Sequence, residues 1–173
     1  MDHERINAAL REASDTRNVT IGAGVLASVD EVFTGCFGKK AAVIVADDNT
    51  FAAAGRSVHQ RLTAAGCRVV EPFVFPGRPT LHADYEHVLE LEAALRAHDA
   101  IPVAVGSGTL NDLTKLTAYR CQRPYMVVAT AASMDGYAAF GAGITREGFK
   151  RTLACPAPRA ILADLDVLAA APP

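Results

Sequence analysis

Short runs of apolar residues alternate along the chain with longer segments in which apolar residues recur every three or four positions. Continuous apolar runs of this kind are typical of strands buried on both faces of a sheet. They predict four strands, at residues 39–47 (KKAAVIVAD), 67–75 (CRVVEPFVF), 100–106 (AIPVAVG) and 124–130 (PYMVVAT), and a candidate fifth at 159–164 (RAILAD). Pro72 cannot donate a hydrogen bond within a sheet, so it predicts an edge position or a bulge for the second run.

The segments between these runs have helical periodicity. They predict helices over residues 50–66, 83–98 and 109–121, and Gly66 is a candidate C-terminal cap for the first. Strands and helices that alternate in this way indicate an α/β domain with a mainly parallel sheet. The length of 173 residues suits one such domain.

Three polar stretches follow predicted strands. They are DDNT (47–50), GSGT (106–109) and TAASMDG (130–136). Because ligands of open parallel sheets bind beyond the carboxyl ends of the strands, we expect these stretches to meet at one edge and to form the functional site.

The GSGT stretch is a candidate seat for a phosphate group. Glycine lets the backbone approach a ligand closely, and the helix that follows directs N–H groups and its positive dipole end at an anion. The dinucleotide fingerprint G-x-G-x-x-G fails at its third position, where Asn111 stands, and no Walker lysine follows. A tight strand-to-helix turn that needs small residues is the alternative interpretation.

The acidic residues of the other two stretches also allow more than one interpretation. A carboxylate of Asp47 or Asp48 can bind the ribose hydroxyls of an adenosine. Alternatively, Asp48 or Asn49 can cap the next helix, and one aspartate can cap while the other binds. Asp135 lies among apolar residues and needs a partner, which can be a substrate hydroxyl, a backbone turn or a lysine.

Composition excludes several classes of protein. With 17 basic and 19 acidic residues and no long run of one sign, the chain has no electrostatic signature for nucleic acid or a membrane surface. The absence of an apolar run of about 18 residues and the charged N-terminus predict a cytoplasmic protein without membrane insertion. Four widely spaced cysteines predict neither a disulfide framework nor a zinc site, and the five histidines lack metal-binding spacing and are expected at the surface.

Three segments carry a resemblance to a known family. VGSGTLNDLTK, PYMVVATAASMDGYAAFGAGIT and PRAILADLDVLAAAPP resemble the glycerol-1-phosphate dehydrogenases. These belong to a superfamily with glycerol dehydrogenase, the iron-containing alcohol dehydrogenases and dehydroquinate synthase. The resemblance covers the chain from about Val19 to its end, and the motif SMDGYA favours the glycerol-1-phosphate branch.

The resemblance implies a Rossmann-like N-terminal domain that binds NAD or NADP, followed by a helical C-terminal domain that holds a divalent metal, usually zinc. Residues 1–173 correspond to the cofactor domain, because the metal ligands of the family lie beyond the segment that resembles LDVLAAAPP. We therefore expect no metal ligand among these residues, and negligible turnover by this chain alone.

The resemblance also implies roles for individual residues. Asp47 would bind the adenosine ribose, and Asp135 would face the substrate hydroxyls. Thr130 and Ser133 would lie along the nicotinamide. The diphosphate would be lined by Gly106, Ser107, Gly108, Thr109 and Asp112. Lys115 matches the motif without an assigned contact.

The function implied is hydride transfer between a nicotinamide and a small polyol phosphate or its ketone. A carboxylate at Asp47 would repel a 2′-phosphate and so favour NAD over NADP. The expected partners are a small-molecule substrate and further copies of the chain in a homo-oligomer. The alternatives are an enzyme domain similar to dehydroquinate synthase and a nucleotide-binding module without catalysis.

Overall fold

The computed structural model describes residues 3–134 and 136–171. It contains a six-stranded sheet in the order β1-β8-β5-β4-β2-β3, in which all neighbours are parallel, and a separate antiparallel hairpin of β6 and β7. The strands are β1 (Asn18–Gly22), β2 (Ala42–Asp47), β3 (Phe73–Phe75), β4 (Ile101–Gly106), β5 (Met126–Ala129), β6 (Ala142–Arg146), β7 (Phe149–Leu153) and β8 (Ala160–Asp164).

Helices cover both faces of the sheet. They are α1 (His3–Glu12), α2 (Val29–Phe37), α3 (Asp48–Thr50), α4 (Arg56–Ala64), α5 (Tyr85–Arg96), α6 (Gly108–Arg120) and α7 (Leu165–Ala169). A π-helical turn, Phe51–Gly55, joins α3 to α4. None of the helices in the described part of the chain is long and apolar enough to cross a membrane.

The core has two sides because successive side chains of a strand point to opposite faces. Ile44 of β2 belongs to the cluster formed with α2 and α4, whereas its neighbours Val43 and Val45 belong to the cluster formed with α5, α6 and β6. All residues of β4, β5 and β8 are buried. This burial on both faces explains their continuous apolar sequences.

The predicted α/β fold with a parallel sheet is confirmed. The four predicted strands and the candidate fifth are all present, and the run that contains Pro72 forms the edge strand β3, reduced to three residues. The three predicted helices are also present, and Gly66 follows the first of them with a φ of +78°. Sequence analysis missed β1, the β6–β7 hairpin, α1, α2 and α7.

The strand order places a crevice at the edge where the three polar stretches were expected. From β2 the chain moves outward to β3 and then returns past β2 to β4. Connections that leave in opposite directions open a crevice between the carboxyl ends of two adjacent strands, here those of β2 and β4. Asp47 ends β2 and Gly106 ends β4, so two of the stretches lie on either side of this crevice, and the third follows the neighbouring strand β5.

Candidate functional site

Asp47 is the N-terminal cap of α3. Its Oδ1 accepts a hydrogen bond from the Thr50 N–H at 2.8 Å, and Thr50 Oγ1 accepts one from the Asp47 N–H at 3.1 Å. This reciprocal pair satisfies the backbone on both sides of the helix start. Asp48 Oδ2 accepts a bond from the Gly77 N–H at 2.9 Å, in the loop after β3. The stretch therefore does cap its helix, but through Asp47 and not through Asp48 or Asn49 as the capping interpretation predicted. Ribose binding by Asp47 stays a prediction.

The corner after β4, residues 106–109, is built differently and is called the glycine turn below. Ser107 is the N-cap of the 13-residue helix α6, yet its side chain makes no capping bond within the described residues. Its carbonyl accepts the Asn111 N–H at 3.0 Å, which leaves the N–H groups before Asn111 without a partner in the helix. A Cβ on Gly106 would lie 2.6 Å from Leu110 Cβ, so tight packing of helix on strand requires this glycine.

Residues 131–134 and 136–141, which we call the strap, lie over the glycine turn. The single hydroxyl proton of Tyr137 is shared between the carbonyl oxygens of Gly106, 3.2 Å from Oη, and Ala131, 3.0 Å from Oη. The Met134 side chain covers Gly108, where an added Cβ would meet Met134 Cγ at 3.0 Å. These contacts bring the GSGT and TAASMDG stretches together. Sequence analysis missed Met134 and Tyr137, for which only their place in the SMDGYA motif was a signal.

The remaining predicted residues of the strap region differ in exposure. Thr130 is buried, and its N–H donates to the Gly106 carbonyl at 3.2 Å. Ser133 is exposed in the strap, and Thr109 is half-buried at the start of α6. Asp135, predicted to face the substrate, lies outside the described residues.

Asp112 and Lys115 fasten the strap and the hairpin to α6. Asp112 Oδ2 accepts the Gly143 N–H at 3.1 Å, and Lys115 Nζ donates to the carbonyls of Ala139 and Gly141, both at 2.9 Å. Lys115 is 1% exposed, and its Nζ lies 3.7 Å from Asp112 Oδ1.

Burial disfavours the charged form of both groups. It lowers the pKa of Lys115 and raises that of Asp112, and their mutual attraction offsets part of each effect. The observed partners give Lys115 a structural role, which the sequence left open. The observed contacts of Asp112 are the Gly143 N–H and Lys115 Nζ, and its place along a diphosphate stays a prediction.

Another acidic residue at the same edge was missed. Asp164 ends β8 and is 2% exposed. Its Oδ2 accepts the Leu26 N–H at 2.7 Å, and its Oδ1 accepts the N–H groups of Asp166 at 2.9 Å and Gly24 at 3.2 Å. It thus fixes the loop between β1 and α2 at the edge of the site. The signal was an aspartate directly after an apolar run, as at Asp47.

No metal centre is formed by the described residues, among which no three His, Cys, Asp or Glu side chains cluster suitably for a metal ion. His82 is exposed, and the other histidines with described side chains, His59, His87 and His98, are half-buried. The donor set of this part of the chain therefore does not fit the zinc implied for the family, and no chemical step is assigned to a metal here.

Residues 20–172 match the sequence pattern of the iron-containing alcohol dehydrogenases. The chain belongs to this family. It is 39% identical over 130 residues to a glycerol-1-phosphate dehydrogenase [NAD(P)+] of Halalkalibacterium halodurans, covering 75% of this chain and 33% of that protein. It is 35% identical over 157 residues to the enzyme of the same name from Methanosarcina barkeri, covering 90% and 42%. The chain thus spans well under half the length of either relative.

A solved structure supports the fold. Maleylacetate reductase from Agrobacterium tumefaciens superposes on the chain with a TM-score of 0.75 at 24% identity, covering 92% of this chain and 44% of the reductase. The family and the fold predicted from the three motif segments are both confirmed by these comparisons.

Proposed function

We propose that this chain is the dinucleotide-binding part of a dehydrogenase that acts on a small polyol phosphate or its ketone. One observation carries the proposal: the N-terminus of α6 has no capping bond from Ser107, the N-cap residue, among the described residues, and it lies across the crevice from Asp47. A long helix whose first N–H groups have no partner within the helix suits an anion at this place, and the diphosphate of NAD or NADP is the anion that the fold favours.

The glycine turn would hold the diphosphate through backbone groups. The N–H groups at the start of α6 and the positive end of its dipole both favour negative charge. Gly108 lacks a Cβ where the backbone must approach the ligand, and the flexible Met134 side chain beside it can change rotamer to admit a phosphate.

Asp47 would bind the adenosine ribose. Its Oδ1 is used by the Thr50 N–H, so Oδ2 is the atom we assign to a ribose hydroxyl. The negative charge there favours NAD over NADP. Thr130 and Ser133, at the end of β5 and in the strap, are assigned to the nicotinamide side, and Asp135 to the substrate hydroxyls.

The relatives' names support the reaction class, since both are called glycerol-1-phosphate dehydrogenase [NAD(P)+]. A bound nicotinamide supplies hydride transfer, and the residues of this chain would orient the cofactor and hold part of the substrate. The polyol phosphate and the activity of the whole protein are part of the proposal.

Gly108→Val tests the proposal. The valine would place its side chain where the diphosphate approaches, so we expect the affinity for NAD, measured by calorimetry, to fall at least about tenfold. Gly35→Val in α2 is the matched control, because an added Cβ there meets nothing within 4 Å. Equal NAD affinity of wild type and folded Gly108→Val, or no binding by wild type, would contradict the proposal.

A further inference from the structure

We propose that Tyr137 is a positioning residue that orients the glycine turn for the diphosphate. The proposal rests on the proposed function, because it concerns how the turn presents its N–H groups to that ligand. The proposal assigns a role to a side chain that lies next to the turn in space, although Tyr137 and Gly106 are 31 residues apart in the sequence.

The Gly106 carbonyl oxygen is held from two directions. The Thr130 N–H donates to it at 3.2 Å, and so does Tyr137 Oη at 3.2 Å. A peptide group is planar, so fixing this oxygen also fixes the direction of the Ser107 N–H on the other side of the same peptide. The Tyr137 hydroxyl therefore acts on the first N–H of the anion site without touching the anion.

The phenol is itself held in place. Its ring packs against the buried cluster that contains Ala104 and Val127, and its hydroxyl also bonds to the Ala131 carbonyl. Two to four residues further along the strap, Lys115 Nζ binds the carbonyls of Ala139 and Gly141. Because burial raises the pKa of Tyr137, the hydroxyl keeps its proton and remains a donor at neutral pH.

The protein offers two matched controls for removal of the hydroxyl by Tyr137→Phe. Tyr125 Oη is buried and donates to Asn111 Oδ1 at 2.9 Å, on α6 but away from the turn's carbonyls. Tyr119 is 53% exposed near the end of α6. Tyr125→Phe removes a buried hydrogen bond of similar kind, and Tyr119→Phe removes a hydroxyl from the surface.

The first measurement is amide hydrogen exchange in protein without ligand. The Asn111 and Thr130 N–H groups donate to the carbonyls of Ser107 and Gly106, so they report the order of the turn. We expect Tyr137→Phe to speed their exchange about two- to tenfold, as for the loss of one hydrogen bond. Neither control should speed exchange at Thr130, and Tyr119→Phe should leave both amides unchanged. Unchanged exchange in Tyr137→Phe overturns the proposal.

The second measurement compares ADP-ribose, which carries the diphosphate, with adenosine, which does not. We expect Tyr137→Phe to lower the affinity for ADP-ribose about two- to tenfold and to leave the affinity for adenosine unchanged. An equal loss of affinity for both ligands would mean that Tyr137 has only a structural role, and would overturn its role toward the diphosphate. If the wild type binds no ADP-ribose, the proposed function and this role fall together, and exchange alone then decides whether Tyr137 orders the turn.

Discussion

Two strand-to-helix corners lie side by side at the carboxyl edge of the sheet, and they satisfy their helices differently. At the end of β2, Asp47 and Thr50 exchange the two bonds of a capping box. At the end of β4, the Ser107 side chain leaves α6 uncapped within the described residues, although serine is among the preferred capping residues. At the first corner the aspartate accepts a hydrogen bond from its own helix, whereas at the second no described side chain accepts one from the first N–H groups of α6.

The difference indicates a division of labour at the site. An acid on α6 would satisfy the helix and place a negative charge where a diphosphate should bind, so its absence leaves an anion site at a cost of about 0.5–2 kcal/mol in capping. The acid on the neighbouring strand lies where a ribose hydroxyl can reach it. The two corners thus suit different parts of one dinucleotide: the β4 corner suits the diphosphate, and the β2 corner suits the ribose.

Ser107→Asp would make the second corner like the first. The new carboxylate should accept a helix N–H and repel the diphosphate, so we expect stability to rise by roughly 0.5–1 kcal/mol and NAD affinity to fall more than about tenfold. Urea unfolding and calorimetric titration measure the two effects.

Ser107→Asn is the control for this change, because asparagine can cap without a charge. We expect it to weaken NAD binding less than the aspartate does. Retention of full NAD affinity by Ser107→Asp, with the helix capped, would show that the free N–H groups of α6 are not the diphosphate site.

Asp47→Ala and Asp47→Asn distinguish the two properties of Asp47, its capping hydrogen bond and its negative charge. Alanine removes the acceptor of the Thr50 N–H, so we expect a loss of about 1 kcal/mol in urea unfolding. Asparagine keeps an acceptor and should lose less. Both remove the charge that disfavours a 2′-phosphate, so the preference for NAD over NADP should narrow in each. An unchanged preference for NAD over NADP in both variants would show that Asp47 does not bind the ribose.

Much of the fold could be predicted because burial on both faces gives strands a continuous apolar sequence. This holds for β2, β4, β5 and β8. In contrast, β1 is half-buried throughout, and β7 (FKRTL) is exposed at most positions. Such sequences carry no apolar run, and their strands form because a neighbouring strand supplies hydrogen bonds that the local sequence does not specify.

The sequence allowed the residues of the site to be predicted, but not the hydrogen bonds that join them. Aspartate and serine are both good caps, so the sequence could not show that Asp47 caps and Ser107 does not; the surrounding structure decides. Lys115 bonds to a carbonyl of the strap, and Tyr137 bonds to the carbonyl of Gly106 at the end of β4. A backbone carbonyl has no residue type, so no motif indicates such a partner.

The far end of α6 offers the smallest test of the comparison. Helix α6 begins without a side-chain cap from any described residue. Near its C-terminus, Arg120 Nε donates to Glu92 Oε2 of α5 at 2.6 Å. Arg96 donates to the other oxygen, Oε1, at 2.5 Å. This ion cluster holds the end of α6 against α5, and weakening it should not change the Asp47 corner.

The pH dependence of stability measures this contribution. Burial raises the pKa of Glu92, but hydrogen bonds from Arg120 and Arg96 outweigh burial and hold it below the ordinary value of 4.5. A lowered pKa in the folded state means that the stabilisation is present above pH 4.5 and is lost as the pH falls through the folded-state value. Because the two arginine side chains are 60% and 35% exposed, we expect roughly 1 kcal/mol or less.

Glu92→Gln should therefore be less stable than wild type at pH 7, and the gap should close as the pH falls below the lowered pKa of Glu92. Urea unfolding at several pH values gives the gap directly. Glu90→Gln, an exposed glutamate of the same helix, should show no such closing. A gap for Glu92→Gln that stays constant down to acid pH would mean that the charge of Glu92 does not stabilise the end of α6.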